Sequence, residues 1–204
     1  MYCNNEWLWP NICIMDSHNF DFELIKGDHC FIIGHHIKDK ILLEKLINKI
    51  LSTNYRYFNV FGEKANIWRR LISKKAKGEI EIESSQIDRL KMVYDLAMIS
   101  SIKPKSINYV ISDDEYFTEY LVEDLDNIFS GKSLFTPSDW KKVRDGFEFT
   151  YNNKDAIISV DNDIMLGYLG EEKVFGLLGE SIITDLFDGK SFAEIWPEVS
   201  KMAK

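Results

Sequence analysis

Apolar positions along residues 20–130 alternate between two spacings. Short apolar runs with strand character are followed by longer segments in which apolar residues recur every three or four positions. The first pattern is typical of β-strands and the second of amphipathic helices. We predict strands at 20–25, 30–35, 55–62, 79–83 and 107–112, and helices at 39–51, 64–77, 86–99 and 115–129.

The succession of strands and helices predicts the fold class. Four strand–helix units in a row favour a mostly parallel sheet with right-handed crossovers and helices on both faces. We therefore expect an α/β protein with a three-layer, Rossmann-like sheet in residues 20–130. Because only Lys26, Gly27 and Asp28 and one further residue separate the first two predicted strands, those two strands could also form a hairpin.

The pattern changes after Gly131. A predicted helix at 138–144 is followed by FEFTY and AIISV around Asn152 and Asn153, which predicts a β-hairpin. Two similar Gly-x-Leu-Gly-Glu segments then predict a second hairpin or an irregular piece, and helices near 181–187 and 192–202 close the chain. We expect residues 1–130 to form the α/β core and residues 131–204 a small α+β extension, packed on the same core or part of one domain.

Short motifs add little chemistry. Gly-Lys-Ser triplets begin at Gly131 and Gly189, but each lacks the leading glycine of a phosphate-binding loop and follows a predicted helix. We interpret both glycines as left-handed helix caps, and Ser191 with Glu194 as a capping box. The sequence has no GxGxxG, GxSxG, HExxH or EF-hand motif, so the most recognisable redox, acyl-transfer, zinc-protease and calcium sites are not predicted.

Composition places the chain among folded proteins. Its 204 residues are 45% hydrophobic and 13% aromatic, enough for a substantial core. The N-terminus lacks the basic start of a secretory signal, and no uncharged apolar run approaches the roughly 18–20 residues of a membrane span. Three cysteines, Cys3, Cys13 and Cys30, show no CxxC spacing, which fits reduced thiols. We expect a soluble, cytoplasmic protein.

Charge is unevenly distributed along the chain. The net charge is −8, yet residues 1–80 carry 12 basic and 9 acidic side chains whereas residues 81–204 carry 13 basic and 24 acidic ones. An acidic surface repels phosphate backbones and anionic lipids, so we expect neither direct nucleic-acid binding nor membrane binding. A basic protein is the natural partner.

The predicted helix 115–129 concentrates this charge. Residues 109–126 hold seven carboxylates and no Lys or Arg. Four of the carboxylates fall on one stripe at 100° per residue: Glu115, Glu119, Glu123 and Asp126. Like charges four residues apart cost about 0.2–0.5 kcal/mol per pair. Two interpretations stay open, a solvated face or a docking surface on which Tyr116 and Tyr120 act as aromatic anchors.

Polar residues at strand ends suggest an alternative. His35 and His36, then Glu63, then Asp113 and Asp114, follow three predicted strands. In a parallel sheet these side chains approach one edge, where they could bind Mg²⁺ or Mn²⁺ or act as general acid and base. Polar residues also occur there as ordinary helix caps.

The preferred hypothesis is an acidic binding protein without catalytic activity or cofactor. It would be a bacterial-type immunity or antitoxin-like protein that neutralises a basic toxin or nuclease. Its partner-binding residues would be Glu115, Tyr116, Glu119, Tyr120, Glu123 and Asp126. The alternative is a metal-dependent hydrolase or phosphotransferase that uses Mg²⁺ or Mn²⁺ and has the catalytic residues His35, Glu63, Asp113 and Asp114. A third possibility is a structural subunit that oligomerises through an apolar face around Trp140 or Trp196.

Overall fold

The computed structural model describes most of the chain. The described residues are 6–8, 11–18, 29–53, 55–85, 89–176 and 178–203. The strand predicted at 20–25 lies outside them. The chain divides into two compact units, unit 1 with Met1–Arg89 and Ile102–Val122, and unit 2 with Leu90–Ser101 and Glu123–Lys204. The boundary that we expect near residue 130, between the α/β core and the α+β extension, stays a prediction.

Unit 1 is built on a six-stranded sheet. Its elements are β1 (Glu6–Leu8), β2 (Ile12–Asp16), β3 (His29–Ile33), α1 (Lys40–Leu51), β4 (Tyr57–Phe61), α2 (Ala65–Lys75), β5 (Glu81–Ser85) and β6 (Asn108–Ser112). There are two longer helices: α3 (Arg89–Ile102) belongs to unit 2 apart from its first and last residues, and α4 (Glu115–Phe129) belongs to unit 1 up to Val122 and to unit 2 from Glu123.

The sheet confirms the predicted fold class. Its strand order is β1-β2-β6-β3-β4-β5, in which β2, β6, β3, β4 and β5 are parallel and β1 is antiparallel to β2. Helices flank the sheet. The central strands read as continuous apolar runs because they are buried on both faces, as in other parallel sheets.

One hydrophobic cluster joins α1 and α2 to the sheet. Leu46 and Ile47 of α1 and Trp68 of α2 are fully buried with strand residues such as Ile32. Asp39 starts α1 because its carboxylate accepts hydrogen bonds from two backbone N–H groups of the first turn. The chain after β3 passes so close to α2 that a side-chain carbon at Gly34 would collide with the Trp68 indole. Glycine at this position therefore sets how closely the loop after β3 packs.

The N-terminal segment contributes strands that the sequence pattern did not predict. We placed the start of the sheet at residue 20, whereas β1 and β2 precede it and β2 pairs with β6. Strand β2 is apolar from Ile12 to Met15 without alternation, and periodicity alone cannot distinguish so short an apolar run from a buried piece of helix. Strand β5 also begins two residues later than predicted, since Glu81 is the first residue paired with β4.

Unit 2 contains an antiparallel sheet and short helices. Its elements are α5 (Pro137–Val143), β7 (Phe147–Tyr151), β8 (Lys154–Val160), β9 (Ile164–Tyr168), β10 (Lys173–Phe175), α6 (Leu178–Ile183), β11 (Asp185–Phe187), β12 (Lys190–Ser191) and α7 (Phe192–Val199). The main sheet has the order β10-β9-β8-β7. The predicted hairpin is confirmed, since Tyr151 pairs with Lys154 across Asn152 and Asn153, both at positive φ.

An aromatic cluster forms the core of unit 2. It includes Phe149, Phe187, Phe192 and Trp196. The Trp196 ring lies 5.5 Å from that of Phe192, and Trp140 is buried in the same cluster. The third possibility, an exposed apolar face around Trp140 or Trp196 that mediates oligomerisation, is therefore wrong, because both side chains are buried in this core.

Three predictions near the C-terminus have different outcomes. The helix expected at 181–187 is wrong in its second half, since α6 ends at Ile183 and β11 follows. Gly189 is not a helix cap: Asp188 and Gly189, both at positive φ, turn the chain from β11 into β12. The sequence contained a signal for this turn, because Asp-Gly favours two-residue hairpin turns with positive φ. The capping box of Ser191 and Glu194 is confirmed, as is the left-handed Gly131 after α4.

Helix lengths and compositions bear on membrane association. Among the described residues, none of the helices combines the length and the apolar character that crossing a bilayer requires.

Candidate functional site

Three strands of unit 1 end together where the direction of the chain connections reverses. From β3 the chain proceeds to β4 and β5 on one side, while β6 lies on the other side of β3. Asp16 of β2 and Ile33 of β3 are both in register with Ser112 of β6. Open α/β sheets place their ligands in the crevice at such a reversal, outside the carboxyl ends of the strands.

Asp113 fixes the loop that follows β3. Its carboxylate accepts hydrogen bonds from the backbone N–H groups of His35, His36 and Ile37, at 2.7, 2.9 and 2.8 Å. The side chain is only 6% exposed, and its own backbone N–H donates to Ile33 O at 3.1 Å. A buried carboxylate needs such donors to offset its lost hydration. Asp113 therefore acts as a structural anchor between β6 and the loop.

Asp114 has one oxygen on the helix and one on a histidine. Its Oδ1 accepts the backbone N–H of Phe117 at 2.9 Å, which caps α4. Its Oδ2 lies 3.1 Å from Nε2 of His36. The carboxylate is 14% exposed whereas the His36 side chain is 64% exposed. His36 thus reaches solvent while its ring is oriented by a sheltered carboxylate.

A second histidine–carboxylate pair stands at the end of β2. Nδ1 of His18 lies 3.0 Å from Oδ1 of Asp16, and the backbone N–H of His18 donates to the same oxygen at 2.8 Å. Both side chains are partly exposed. The short Asp-Ser-His turn therefore presents an imidazole and a carboxylate side by side.

Both pairs line one cavity of about 460 Å³. Its polar and aromatic lining includes Asp16, His18, His36, Asp114, Glu115 and Tyr116, and its apolar lining is Ile14 and Met15. No Lys or Arg occurs among the described residues that line it. The cavity is of the size of small-ligand sites and carries a marked excess of carboxylates.

The predicted catalytic residues are only partly brought together. Asp113 and Asp114 line the cavity, with His36 beside them. His35 is not in the lining; its ring packs 5.3 Å from that of Phe117, and its Nε2 is buried without a hydrogen-bond partner among the described residues. Glu63 is exposed in the turn before α2 and is also absent from the lining. Within the described part of the chain, no three His, Cys, Asp or Glu side chains are grouped so as to hold a metal ion.

The acidic stripe of α4 lies on the surface. Glu115, Glu119, Glu123 and Asp126 are all exposed. The opposite face buries apolar residues including Leu121, Leu125 and Ile128. The amphipathic pattern therefore orients this helix as predicted.

Two tyrosines accompany the stripe. Tyr116 is 68% and Tyr120 36% exposed. Their hydroxyls lie 3.0 Å apart and their rings pack edge to face at 4.8 Å, while the Arg89 guanidinium lies 4.9 Å from the Tyr120 ring centre. Aromatic rings held in this way lose little conformational freedom when a partner covers them.

Asp16 and His18 are the lining residues that sequence reasoning missed. They precede residue 20, where we placed the start of the sheet, although the apolar run ending in Asp16 shows the same strand-end polarity as the run before Asp113. That signal is readable only once residues 12–16 are recognised as a strand.

Comparison of the chain with protein-family models, with curated proteins and with solved structures finds no match in any of the three.

Proposed function

We propose that this protein works by binding, as an inhibitor or immunity-type protein that neutralises a basic toxin or nuclease. The observation that carries the proposal is the exposed face of α4, which presents the carboxylates of Glu119, Glu123 and Asp126 and, in its N-terminal half, the exposed ring of Tyr116. Acidic side chains aligned on one helix can occupy the phosphate-binding groove of a basic enzyme and steer its approach.

The two kinds of side chain on this face contribute differently to binding. Exposed carboxylates speed association and select a partner of opposite charge, but salt screens their effect. Tyr116 and Tyr120 supply apolar area whose contribution depends less on salt, and tyrosine is among the residues enriched in binding hot spots. We propose that the protein acts in the cytoplasm, where its three cysteines, which lack CxxC spacing, would remain reduced.

Charge reversal on α4 tests the proposal. The variant Glu119→Lys, Glu123→Lys, Asp126→Lys changes the net charge from −8 to −2. We expect wild type to retain a basic protein from lysate of the native host at low salt, and the variant to lose it, because the surface complementary to that protein is gone. Affinity capture with mass spectrometry, repeated at increasing salt, measures the loss and its salt dependence.

A matched control separates this surface from net charge. Glu148, Asp161 and Asp163 are exposed carboxylates of unit 2 away from α4 in sequence, and their reversal to Lys makes the same change in net charge. The control should retain the basic protein. Equal retention by wild type and the α4 variant, or equal loss in the control, would contradict the proposal.

A second candidate function is hydrolysis or phosphoryl transfer at the cavity. The observation favouring it is the pairing of His36 with Asp114 at the carboxyl edge of the sheet, because a carboxylate that orients an imidazole prepares it as a general base. The metal-dependent form of this alternative requires that Mg²⁺ or Mn²⁺ bind near Asp114. Calorimetric titration of the wild type with each ion should show binding that Asp114→Asn abolishes; absence of heat in the wild type would count against it.

A further inference from the structure

The antiparallel sheet of unit 2 ends at strand β7. In the order β10-β9-β8-β7 this strand pairs with β8, and no strand of the described residues lies on its other side. Tyr151 and Lys154 flank the two-residue turn that joins β7 to β8, so they exchange both backbone hydrogen bonds. Because bonded and non-bonded pairs alternate along antiparallel strands, Phe147 and Phe149 are the other residues of β7 that bond to β8.

Glu148 and Thr150 direct their backbone N–H and C=O groups away from β8. The residue opposite Thr150 is Asp155, whose carbonyl oxygen accepts the N–H of Leu169 at 2.9 Å, on the side of β9. That bond agrees with the alternation. Neither Glu148 nor Thr150 forms a backbone hydrogen bond with another described residue, and both side chains are exposed. The free edge of β7 therefore presents unpaired backbone donors and acceptors.

Most edge strands carry features that prevent pairing with another chain, such as short length, proline, lysine or a bulge. Strand β10, at the other edge of this sheet, has three residues and begins with Lys173. In unit 1, β1 also has three residues, and β5 exposes Glu81 and Glu83. Strand β7 has five residues, FEFTY, without proline or lysine, and its pairing with β8 runs without a bulge. Of these four edge strands, β7 is therefore the best suited to receive another strand.

An antiparallel copy of β7 is complementary to this edge in one register. When Phe149 lies opposite Phe149 of a second copy, each Glu148 lies opposite Thr150 of the other copy. Both of these pairs are then hydrogen-bonded pairs, which gives about four backbone hydrogen bonds between the copies. A register centred on Glu148 would set two carboxylates opposite each other, which is unfavourable. One centred on Thr150 would require Asn152, which turns the chain at a φ of 50°, as a strand partner.

Aromatic side chains on the core side of β7 add to this complementarity. Phe147 is only partly buried; its ring lies 5.4 Å from that of Phe149 and 6.2 Å from that of Trp196. In the register centred on Phe149 it lies opposite Tyr151 of the second copy. Aromatic pairs directly across two strands stabilise a sheet. Pairing would therefore cover apolar surface of Phe147 as well as the open edge.

We infer that β7 pairs with β7 of a second copy of this chain, so that two sheets of four strands form one of eight in a two-fold symmetric dimer. Such an interface uses the same surface on both copies and closes, so it does not propagate into a filament. Each copy carries a net charge of −8, which opposes association. Salt screens this repulsion and should strengthen the dimer, whereas it should weaken capture of a basic protein by α4. The inference does not rest on the proposed function.

Sedimentation velocity of the full chain, from about 1 μM to about 1 mM, tests the association. We expect a reversible monomer–dimer equilibrium in the wild type. Thr150→Pro removes an outward N–H group but no hydrogen bond to β8, and proline is tolerated on edge strands. One bond is lost from each copy; since each is worth about two- to tenfold, dimerisation should weaken about four- to a hundredfold. Thr150→Val is the matched control: it keeps the N–H group and a β-branched side chain, and it should dimerise as the wild type does.

Amide hydrogen exchange locates the interface. The amides of Glu148 and Thr150 should become protected as the protein concentration rises, because they form hydrogen bonds only in the dimer. Those of Phe149 and Tyr151 should be protected at every concentration, since they bond to β8. The same protection of these two amides in Thr150→Pro verifies that its hairpin is folded.

Cysteine pairing tests the register. Facing residues of a hydrogen-bonded pair have Cα atoms about 5.5 Å apart, within reach of a disulfide. In a Cys3→Ser variant, an oxidised mixture of chains carrying Glu148→Cys or Thr150→Cys should give mainly the mixed disulfide. Each of the two chains alone should remain largely unlinked.

A wild type that stays monomeric over the whole concentration range would overturn the inference. So would a dimer that Thr150→Pro leaves intact without added protection at Glu148, since it would form through another surface. A disulfide formed chiefly by Glu148→Cys alone, or by Thr150→Cys alone, would overturn the register centred on Phe149. Because these variants leave α4 unchanged, failure of the dimer is distinguishable from failure of the proposed capture of a basic protein.

Discussion

Replacing Asp113 by asparagine tests whether this residue anchors the loop after β3. Its Oδ2 accepts the N–H groups of His36 and Ile37, and its Oδ1 accepts that of His35. An asparagine side chain has one oxygen, which accepts, and one NH₂ group, which donates. At least one of the three backbone N–H groups would therefore face the NH₂ group and lose its acceptor. The best orientation keeps the oxygen on His36 and Ile37 and sacrifices the bond to His35.

The cost follows from those contacts. Losing one hydrogen bond to a buried charge costs about 1.5–3 kcal/mol, and the two retained bonds weaken because their acceptor becomes neutral. The total is about 2–4 kcal/mol. Asp113→Ala leaves all three donors without this acceptor and should cost more. Since domains are stable by only about 5–15 kcal/mol, either change is large.

Urea unfolding followed by circular dichroism measures these differences, with amide hydrogen exchange as a local readout. We expect faster exchange at His35, His36 and Ile37 in both variants. Asp39→Asn is the control, because Asp39 caps α1 from an exposed position and asparagine caps equally well. An Asp113→Asn protein with the wild-type unfolding midpoint and unchanged protection of the three amides would refute the assigned role. Functional loss in an Asp113 variant would report on the fold, so Asp114→Asn is the better test of chemistry.

Two further predictions concern titrating groups. Hydrogen bonds from Asn152, Tyr168 and Lys154 hold the pKa of Asp188 at about 2, below its ordinary value of 3.8. The ionised Asp188 side chain therefore stabilises the folded protein above pH 3.8, and this contribution is lost as the pH falls through 2. The unfolding midpoints of wild type and Asp188→Asn should therefore differ at pH 6 and converge toward pH 2; a constant gap would contradict this. Burial raises the pKa of Cys13 to about 11 and that of Cys30 further, so both thiols are neutral at pH 8. In a Cys3→Ser variant, iodoacetamide should label neither Cys13 nor Cys30 until urea unfolds the protein, as measured by mass spectrometry. Labelling of either thiol in the folded protein would show that burial does not protect it.

Local periodicity was sufficient to predict a feature that depends on a single helix or strand. The bounds of α4, Glu115–Phe129, and its exposed acidic stripe follow from residues three and four apart, because a helix repeats every 3.6 residues whatever it packs against. The parallel class of the sheet was likewise predictable, since strands that alternate with helices must return in the same direction. These features depend on neighbours along the chain.

The candidate site depends on contacts between distant segments. Strand β6 inserts between β2 and β3, against the tendency of successive strands to lie together, and only this order brings Asp16 and His18 to Asp114. Similarly, nothing local distinguishes His35 from His36. The three bonds that Asp113 accepts hold the loop so that His36 faces Asp114 and the cavity while His35 packs on Phe117. The sequence by itself determined the long helices, the strands between residues 30 and 112 and the distribution of charge. Tertiary structure decided which strand ends meet, because pairing across a sheet is set by burial and backbone hydrogen bonds between residues far apart in the chain.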